Sequence, residues 1–140
     1  MSESELASVF ENWPAGQQEL VALMKELKGQ ALARPGAAWE LVSRPGVSHS
    51  LRFTLQGSSR PVVMLLDAAY LAADMLTISV CFYADMVDDP EEMGEEIPGG
   101  LLGQDGYCFD ADEEDPGAVD YLKARVDAAF GAAAREAARG

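Results

Sequence analysis

The sequence predicts an α+β fold of two layers, in which helices from both chain ends pack on one face of an antiparallel sheet. Apolar residues recur at helical spacing in residues 3–28 and again after residue 115. Between these segments, short stretches alternate apolar and polar residues, and Pro-Gly or Gly-Ser pairs separate them. This order predicts a meander of about five strands with a long C-terminal helix on the same sheet face as the N-terminal helices. At 140 residues, we expect a single domain over 1–140.

The N-terminal segment predicts one kinked helix or a helix pair over 3–28. A first apolar stripe consists of Leu6, Val9, Phe10 and Trp13, and a second consists of Leu20, Leu23, Met24 and Leu27. Pro14 separates the stripes, and proline suits the first turn of a helix better than its interior. Gly29 follows the second stripe as a plausible end of the helix.

The tripeptide Arg-Pro-Gly occurs twice, at 34–36 and at 44–46. Proline presets the φ angle at position i+1 of a β-turn, and glycine supplies the positive φ that a type II turn needs at i+2. The two copies therefore predict two chain reversals around a first strand over 37–43. A second strand follows over 47–55, with one side formed by Val47, His49, Leu51, Phe53 and Leu55, and the other by Ser48, Ser50, Arg52 and Thr54.

Three further strands and a helix complete the predicted fold. The strands are expected at 61–66, 75–83 and 107–110, with a wide turn or one helical turn over 68–74. Asp115 and Pro116 have the residue types of an N-cap and a first helical position. Residues 88–105 lack a clear period, so we expect a long connection there, and long irregular loops are often functional.

The predicted sheet has a second face made of small polar residues, which an antiparallel sheet can leave to water or offer to a partner. Arginine binds carboxylates in bidentate geometry. A small ligand on this face, beneath the 88–105 loop, would therefore be held by Arg44, Arg52 and Tyr83. The same face is a candidate contact between two copies of the chain, because Met75, Cys81 and Tyr83 lie there among small residues.

His49 and the two cysteines are the residues most often used in catalysis or metal binding. His49 is the single histidine and falls on the apolar side of its strand, whereas Ser48 and Ser50 point the other way. We expect a half-buried, hydrogen-bonded histidine, and no catalytic residue is assigned. Cys81 and Cys108 lack the further ligands of a zinc site and are expected to be reduced.

The charge is unevenly distributed along the chain, whose net charge is −14. Residues 61–122 contain 16 acidic and no basic residues, whereas the rest contains 8 acidic and 10 basic residues. A field of this sign repels phosphate backbones, so we expect no nucleic-acid binding. No apolar run is long enough to span a membrane, and the first residues lack the features of a signal peptide, so a cytoplasmic location is expected.

Two functional hypotheses follow. The leading one is a non-enzymatic interaction or accessory domain that presents an acidic surface to a basic protein partner, through Asp88, Asp89, Glu91, Glu92, Glu95 and Glu96. A solvated face that keeps the protein in solution explains the same charges. The alternative is a small-ligand-binding protein or enzyme with its pocket on the polar sheet face.

The acidic segment does not predict a metal site. In "DADEED", Asp110 and Asp112 match the first ligand positions of a calcium-binding EF-hand. The glycine that this loop requires is replaced by Asp115, and its bidentate glutamate by Tyr121. We therefore expect no metal ion and no other cofactor.

Three blocks, "RPGVSHSLRF", "LTISVCFYADMVDDPEEMG" and "IPGGLLGQDGYCFD", make the sequence resemble an uncharacterised family of small acidic bacterial proteins. That resemblance implies no activity. The helix–sheet–helix order is also similar to that of frataxin-like domains, which bind iron through an acidic ridge on their first helix and first strand. Here those elements are nearly neutral, so iron binding is not carried over.

Overall fold

A computed structural model describes residues 2–110 and 116–139. Over these residues the helices and strands follow the predicted α+β order, and this fold class is confirmed. The elements are α1 (Ser2–Glu11), α2 (Gln18–Leu32), β1 (Ala37–Arg44), β2 (Ser48–Leu55), β3 (Met64–Ala72), β4 (Met75–Tyr83), a short 3₁₀ turn (Ala84–Met86), β5 (Glu95–Leu101), β6 (Gln104–Asp110) and α3 (Pro116–Arg139).

The sheet is antiparallel and six-stranded, with the spatial order β1-β2-β3-β4-β6-β5. The expected number of about five strands is one too low, because residues 95–101, placed within an irregular connection, form β5 and pair with β6. Proline and two glycines at 98–100 interrupt the alternation of apolar and polar residues by which a strand is recognised in a sequence. The register with β6 also shifts between Ile97 and Leu101. β4 pairs with β6 directly, so β5 becomes the edge opposite β1.

Both Arg-Pro-Gly segments form the predicted turns. Gly36 and Gly46 have φ angles of +85° and +75°, the positive values that a type II turn requires at this position. The N–H of Ala37 donates to the carbonyl of Arg34 at 3.1 Å, and the N–H of Val47 donates to that of Arg44 at 2.9 Å. The two turns bound β1 and fix its pairing with β2.

The third strand differs from its predicted range. It spans Met64–Ala72 rather than 61–66, so the expected wide turn over 68–74 is wrong and only Ala73 and Asp74 separate β3 from β4. Pairing with β2 on one side and β4 on the other extends the strand through its small residues. β4 has its predicted bounds, whereas β6 begins three residues before the predicted 107–110.

The helices cover one face of the sheet and enclose the hydrophobic core. Leu27 of α2, Phe53 of β2 and Phe130 of α3 are among its fully buried members. The side chain of Gln17 joins α2 to β4, because its Nε2 donates to the carbonyl of Leu76 at 3.0 Å and its Oε1 accepts from the N–H of Leu76 at 2.8 Å. No helix in the described part of the chain is both long and apolar enough to cross a membrane.

The final helix begins at Pro116, the residue predicted for its first position. The predicted N-cap, Asp115, lies outside the described residues, as do Asp112 and Glu114 of the "DADEED" segment. Among the residues that are described, no group of three or more His, Cys, Asp or Glu side chains is arranged to hold a metal ion.

Candidate ligand cavity on the polar sheet face

The face of the sheet opposite the helices carries a group of polar side chains from three adjacent strands. In β2, alternation buries Leu51 and Phe53 against the helices and turns Ser50 and Arg52 to this other face. The strand register sets Ser50 between Val42 of β1 and Asp67 of β3. These positions form the floor of a candidate site.

The hairpin formed by β5 and β6 covers part of this floor. A cavity of about 250 Å³ lies between them, and its walls include Gly100 and Leu102 from the tip of the hairpin. The floor residues that line it are Val42, Arg44, Ser48, Ser50, Arg52, Leu65 and Asp67. Arg44 and Arg52, both predicted ligand-binding residues, are therefore brought together beneath a segment of the 88–105 region.

The conformation of the hairpin tip depends on glycines and on one carboxylate. Leu102 and Gly103 have φ angles of 52° and 88°, as in the tight turns that join adjacent antiparallel strands. Gly99 has a φ angle of 66° within the irregular part of β5, and its N–H donates to Asp105 Oδ1 at 3.0 Å. These contacts set the shape of the segment that closes the cavity.

Asp67 is the acidic group within the cavity. Burial raises the pKa of its carboxyl, while a hydrogen bond from Ser50 and the positive charges of Arg52 and Arg44 partly oppose that rise. Asp67 Oδ1 and Arg52 Nε are both buried without a hydrogen-bond partner. Unpaired buried polar atoms cost free energy, so this floor is incompletely satisfied in the free protein.

The lining of the cavity provides hydrogen-bond donors of the kind that bind small anions. Neither Arg44 nor Arg52 is within 4.0 Å of a carboxylate oxygen in the described part of the chain, whereas Arg34, Arg60 and Arg125 are. Two guanidinium groups and the hydroxyl of Ser48 therefore offer donors, whereas the Ser50 hydroxyl already donates to Asp67. The described lining contains no histidine beside a hydroxyl or thiol that could act as a base.

Tyr83, the third predicted ligand-binding residue, does not join this site. It lines a separate cavity of about 230 Å³ together with Arg60, Asp85 and Asp105. The Arg60 guanidinium stacks on the Tyr83 ring with its carbon 4.8 Å from the ring centroid. Strand alternation correctly places Tyr83 on the polar face, but alternation does not specify the position along the sheet.

Arg60 also connects two acidic side chains from distant parts of the chain. It donates two hydrogen bonds to Asp85, at 2.9 and 2.8 Å, and two to Glu136, at 2.9 and 2.7 Å. Hydrogen bonding to Arg60 lowers the pKa values of both carboxyl groups. This network joins the segment before β3 to the end of α3 and has a structural role.

Asp89, predicted to bind a partner, instead organises the loop that precedes β5. Its carboxylate accepts from the N–H groups of Met93 and Gly94, at 2.9 and 2.8 Å, from the Tyr107 hydroxyl at 2.8 Å, and from the Tyr121 hydroxyl. Burial alone would raise its pKa, but these four hydrogen bonds outweigh burial and lower it to about 2.

The other predicted partner-binding residues fall into two groups. Asp88 is bound by Arg125, whose Nη1 lies 2.9 Å from Asp88 Oδ1 and 3.0 Å from its carbonyl oxygen. The remaining four are exposed on the loop and on the edge strand β5: Glu91, Glu92, Glu95 and Glu96. The predicted acidic surface thus retains four of its six members.

His49 has the structural role that its position in β2 predicted. The ring is half-buried, with Nδ1 2.8 Å from Ser43 Oγ and Nε2 3.0 Å from the Tyr70 hydroxyl. Burial lowers its pKa, which favours the neutral ring at neutral pH. Both ring nitrogens are engaged, so His49 is not a free base.

The expectation of reduced cysteines is wrong. Cys81 and Cys108 form a disulfide between β4 and β6, with their Cα atoms 4.1 Å apart. Alternation placed both side chains on the polar face, and the pairing of β4 with β6 then sets them directly opposite each other. The order of these two strands in the sheet is not readable from the local sequence.

The same face is not available as the dimer contact that the sequence predicted. Cys81 and Tyr83 have only 9% and 3% of their surfaces exposed, and Met75 alone of the three predicted contact residues is exposed. Two of the three predicted contact residues are thus buried within the chain itself.

A larger groove of about 620 Å³ lies between α1 and α2, lined by apolar residues such as Leu6, Phe10 and Val21. Its cations are already engaged, because Lys25 lies over the Phe10 ring and Lys28 pairs with Glu3. The structure therefore leaves neither lysine of this groove without a partner.

Sequence reasoning missed Asp67, Gly100 and Leu102. The predicted third strand ends at residue 66, so Asp67 was not assigned to a strand or to its polar face. A charged residue within an otherwise apolar segment, "LLDAAYL", was the available signal. Gly100 and Leu102 reach the cavity through the fold of the hairpin, for which no local signal exists.

Comparisons with known proteins do not assign this site a role. No family model matches the sequence, and neither a curated protein nor a solved structure is significantly similar to it. The resemblance to a family of small acidic bacterial proteins therefore stays a prediction.

Proposed function

We propose that this protein binds a small anionic ligand in the cavity between the polar sheet face and the β5–β6 hairpin. The observation that carries the proposal is the convergence of Arg44 and Arg52 beside the hydroxyl of Ser48. Within the described part of the chain, neither arginine lies within 4.0 Å of a carboxylate oxygen. Arginine with hydroxyl donors is a common arrangement for holding carboxylate or phosphate.

The surrounding charge makes this convergence informative. The chain has a net charge of −14, so its overall field repels anions. Affinity for an anion must therefore come from charged and polar groups at the site itself. The ligand is small, because 250 Å³ lies below the range of about 300–1,000 Å³ typical of drug-sized pockets.

The proposal is tested by titrating ¹⁵N-labelled protein with inorganic phosphate, acetate and succinate at millimolar concentrations. We expect at least one of these anions to shift amide resonances within 42–52, 65–67 and 100–102 in a saturable manner. Arg52→Gln should abolish the saturable shifts, because it removes a guanidinium that lines the cavity.

Arg135→Gln is the matched control, since Arg135 is an exposed arginine of α3 outside the cavity and its replacement removes the same charge. It should leave the titration unchanged. Anion shifts that are absent from the cavity, or that Arg52→Gln and Arg135→Gln reduce equally, would overturn the proposal.

A second candidate function is the leading hypothesis from the sequence, an accessory domain that binds a basic protein partner. The supporting observation is that four glutamates are exposed on the edge strand β5 and on the loop that precedes it: Glu91, Glu92, Glu95 and Glu96. Charged residues on an edge strand also prevent aggregation, which explains Glu95 and Glu96 without a partner.

The second candidate is tested by capture of basic proteins at low and high salt. The double variant Glu95→Lys/Glu96→Lys should weaken binding through this edge. The control double variant Glu11→Lys/Glu19→Lys, which changes two residues of the helices, should not weaken it. Equal weakening by both pairs would indicate a response to net charge and would remove the candidate.

The expectation of reduced cysteines supported a cytoplasmic location, and the disulfide between Cys81 and Cys108 removes that support. Disulfides persist in oxidising compartments and are rare in the cytosol, so we infer that the protein works under oxidising conditions. Rapid alkylation of thiols in fresh cell extracts tests this inference. Recovery of the protein with both cysteines alkylated would restore the cytoplasmic prediction.

A further inference from the structure

The two edges of the sheet are built differently. At one edge, β5 contains Pro98, an irregular register and two glutamates, and these features discourage pairing with another strand. At the other edge, all eight residues of β1 pair with β2 in one continuous register, and β1 contains neither proline nor lysine. Within the described part of the chain, β2 is its one strand neighbour.

The hydrogen-bonding direction of each residue in β1 follows from its first pair. The N–H of Gln56 donates to the carbonyl of Gly36 at 2.9 Å, and the register sets the next residue, Ala37, opposite Leu55. Inward bonding alternates along an antiparallel strand, so even-numbered residues of β1 bond to β2. The N–H and C=O groups of Trp39, Leu41 and Ser43 therefore point away from β2.

This row of outward groups can be satisfied by a second copy of the same strand. We propose that two copies of the chain associate through antiparallel pairing of their β1 strands, with Val42 on the two-fold axis. In this register Leu41 of each copy lies opposite Ser43 of the other. Both of these residues direct their backbone groups outward, so they form the hydrogen-bonded pairs of the new ladder.

Charge selects this register among those that the backbone permits. Centring on Val42 sets Glu40 of each copy opposite Arg44 of the other, and both side chains are exposed. Opposite charges facing each other across antiparallel strands contribute roughly 0.2–1 kcal/mol per pair. A shift that centres the axis on Glu40 places two glutamates face to face, and a shift to Leu41 leaves both charges without a charged partner.

The position of β1 also minimises repulsion between two acidic chains. The acidic interval 61–122 begins after β2 and includes β5 at the far edge of the sheet. β1 and β2 are thus the strands outside this interval, and their edge is the one at which two copies approach with least like charge. The resulting contact is symmetric and closed, as most homodimers are.

Arg44 also lines the proposed anion cavity, so a charge-swap experiment without added anion tests this inference. Multi-angle light scattering at tens of micromolar should give a dimer mass for the wild type. The single variant Glu40→Arg places an arginine opposite Arg44 of the other copy, and Arg44→Glu places a glutamate opposite Glu40. Like charges then face each other across the new ladder, so each single variant should give a monomer mass. The double variant restores opposite charges and should return the dimer.

Circular dichroism verifies that each variant is folded, and Glu11→Arg controls for the change in net charge. Glu11 is an exposed residue at the end of α1 and not part of β1, so this variant should remain dimeric. A monomeric wild type overturns the proposal, as do single variants that remain dimeric. Failure of the double variant to recover the dimer overturns the register centred on Val42.

Discussion

Cys81 of β4 lies directly opposite Cys108 of β6, and a disulfide joins their side chains across the sheet. β6 belongs to the hairpin whose tip lines the cavity on the polar sheet face, whereas β4 belongs to the centre of the sheet. The disulfide therefore fixes the covering hairpin to the part of the molecule that forms the cavity floor.

Replacement of both cysteines by alanine should lower the free energy of unfolding. The cysteines are separated by 27 residues, and for a loop of this length the chain-entropy model gives a loss of about 3–4 kcal/mol. Urea unfolding of the oxidised wild type and of the double variant measures the difference. Dithiothreitol should shift the wild type to the midpoint of the variant and leave the variant unchanged; two free thiols in the non-reduced wild type would contradict the disulfide.

Asp89→Asn should destabilise the fold by about 1–3 kcal/mol at neutral pH, because the four donors around the carboxylate lose a charged acceptor. The hydrogen bonds lower the pKa of Asp89 to about 2, below its ordinary value of 3.8. Its contribution is therefore fully present above pH 3.8 and is lost as the pH falls through 2.

Urea unfolding of the wild type and Asp89→Asn between pH 7 and pH 2 measures this contribution. The difference in unfolding free energy between the wild type and Asp89→Asn should be constant near pH 7 and should become smaller as the pH approaches 2. Glu91→Gln, at an exposed glutamate of the same loop, should have little effect. A difference that does not change with pH would show that the charge of Asp89 is unimportant.

Asp67→Asn should stabilise the free protein at neutral pH. Burial raises the pKa of the Asp67 carboxyl, so ionisation opposes the folded state. The contribution of Asp67 to the free energy of unfolding is fully present below its ordinary pKa of 3.8. It is lost as the pH rises through the raised pKa that Asp67 has in the folded protein. Chemical unfolding should therefore show a gain that appears above pH 4, whereas Asp74→Asn in the exposed β3–β4 turn should show none.

The same substitution should strengthen anion binding in the cavity, since it removes a carboxylate that lines the cavity together with Arg44 and Arg52. The wild type should approach the affinity of Asp67→Asn as the pH falls and Asp67 becomes protonated. Phosphate or acetate titrations at two pH values measure this convergence. Weaker binding to Asp67→Asn would mean that the ligand donates a hydrogen bond to Asp67.

Two glycine-to-alanine substitutions should have opposite effects on stability. A Cβ at Gly94 would lie 2.7 Å from ring atoms of Tyr107 and Phe109, so Gly94→Ala should cost about 1–3 kcal/mol through overpacking. A Cβ at Gly29, within α2, meets no atom within 4 Å, so Gly29→Ala should stabilise by about 0.5–1 kcal/mol. Thermal unfolding compares the two; a tolerated Gly94→Ala would show that the loop does not pack closely on the rings.

The sequence by itself determined the features that depend on neighbouring residues. Proline and glycine at 35–36 and 45–46 fix φ angles within single turns, so both reversals around β1 were predictable. Alternation in β2 and β4 assigned His49, Arg52 and Tyr83 to the correct faces, because side-chain direction in a strand has a period of two. Helical periodicity likewise identified the helices at both ends of the chain.

The tertiary structure alone decided which distant segments meet. β5 forms because β6 supplies its backbone partners, and the 98–100 segment conceals it in the sequence. The pairing of β4 with β6 brings Cys81 to Cys108, and the curl of the hairpin brings Leu102 to Arg52 while leaving Tyr83 elsewhere. Local patterns specify the direction of a side chain, but the partner that it reaches depends on strand order and curvature, which are set by packing between residues far apart in the chain.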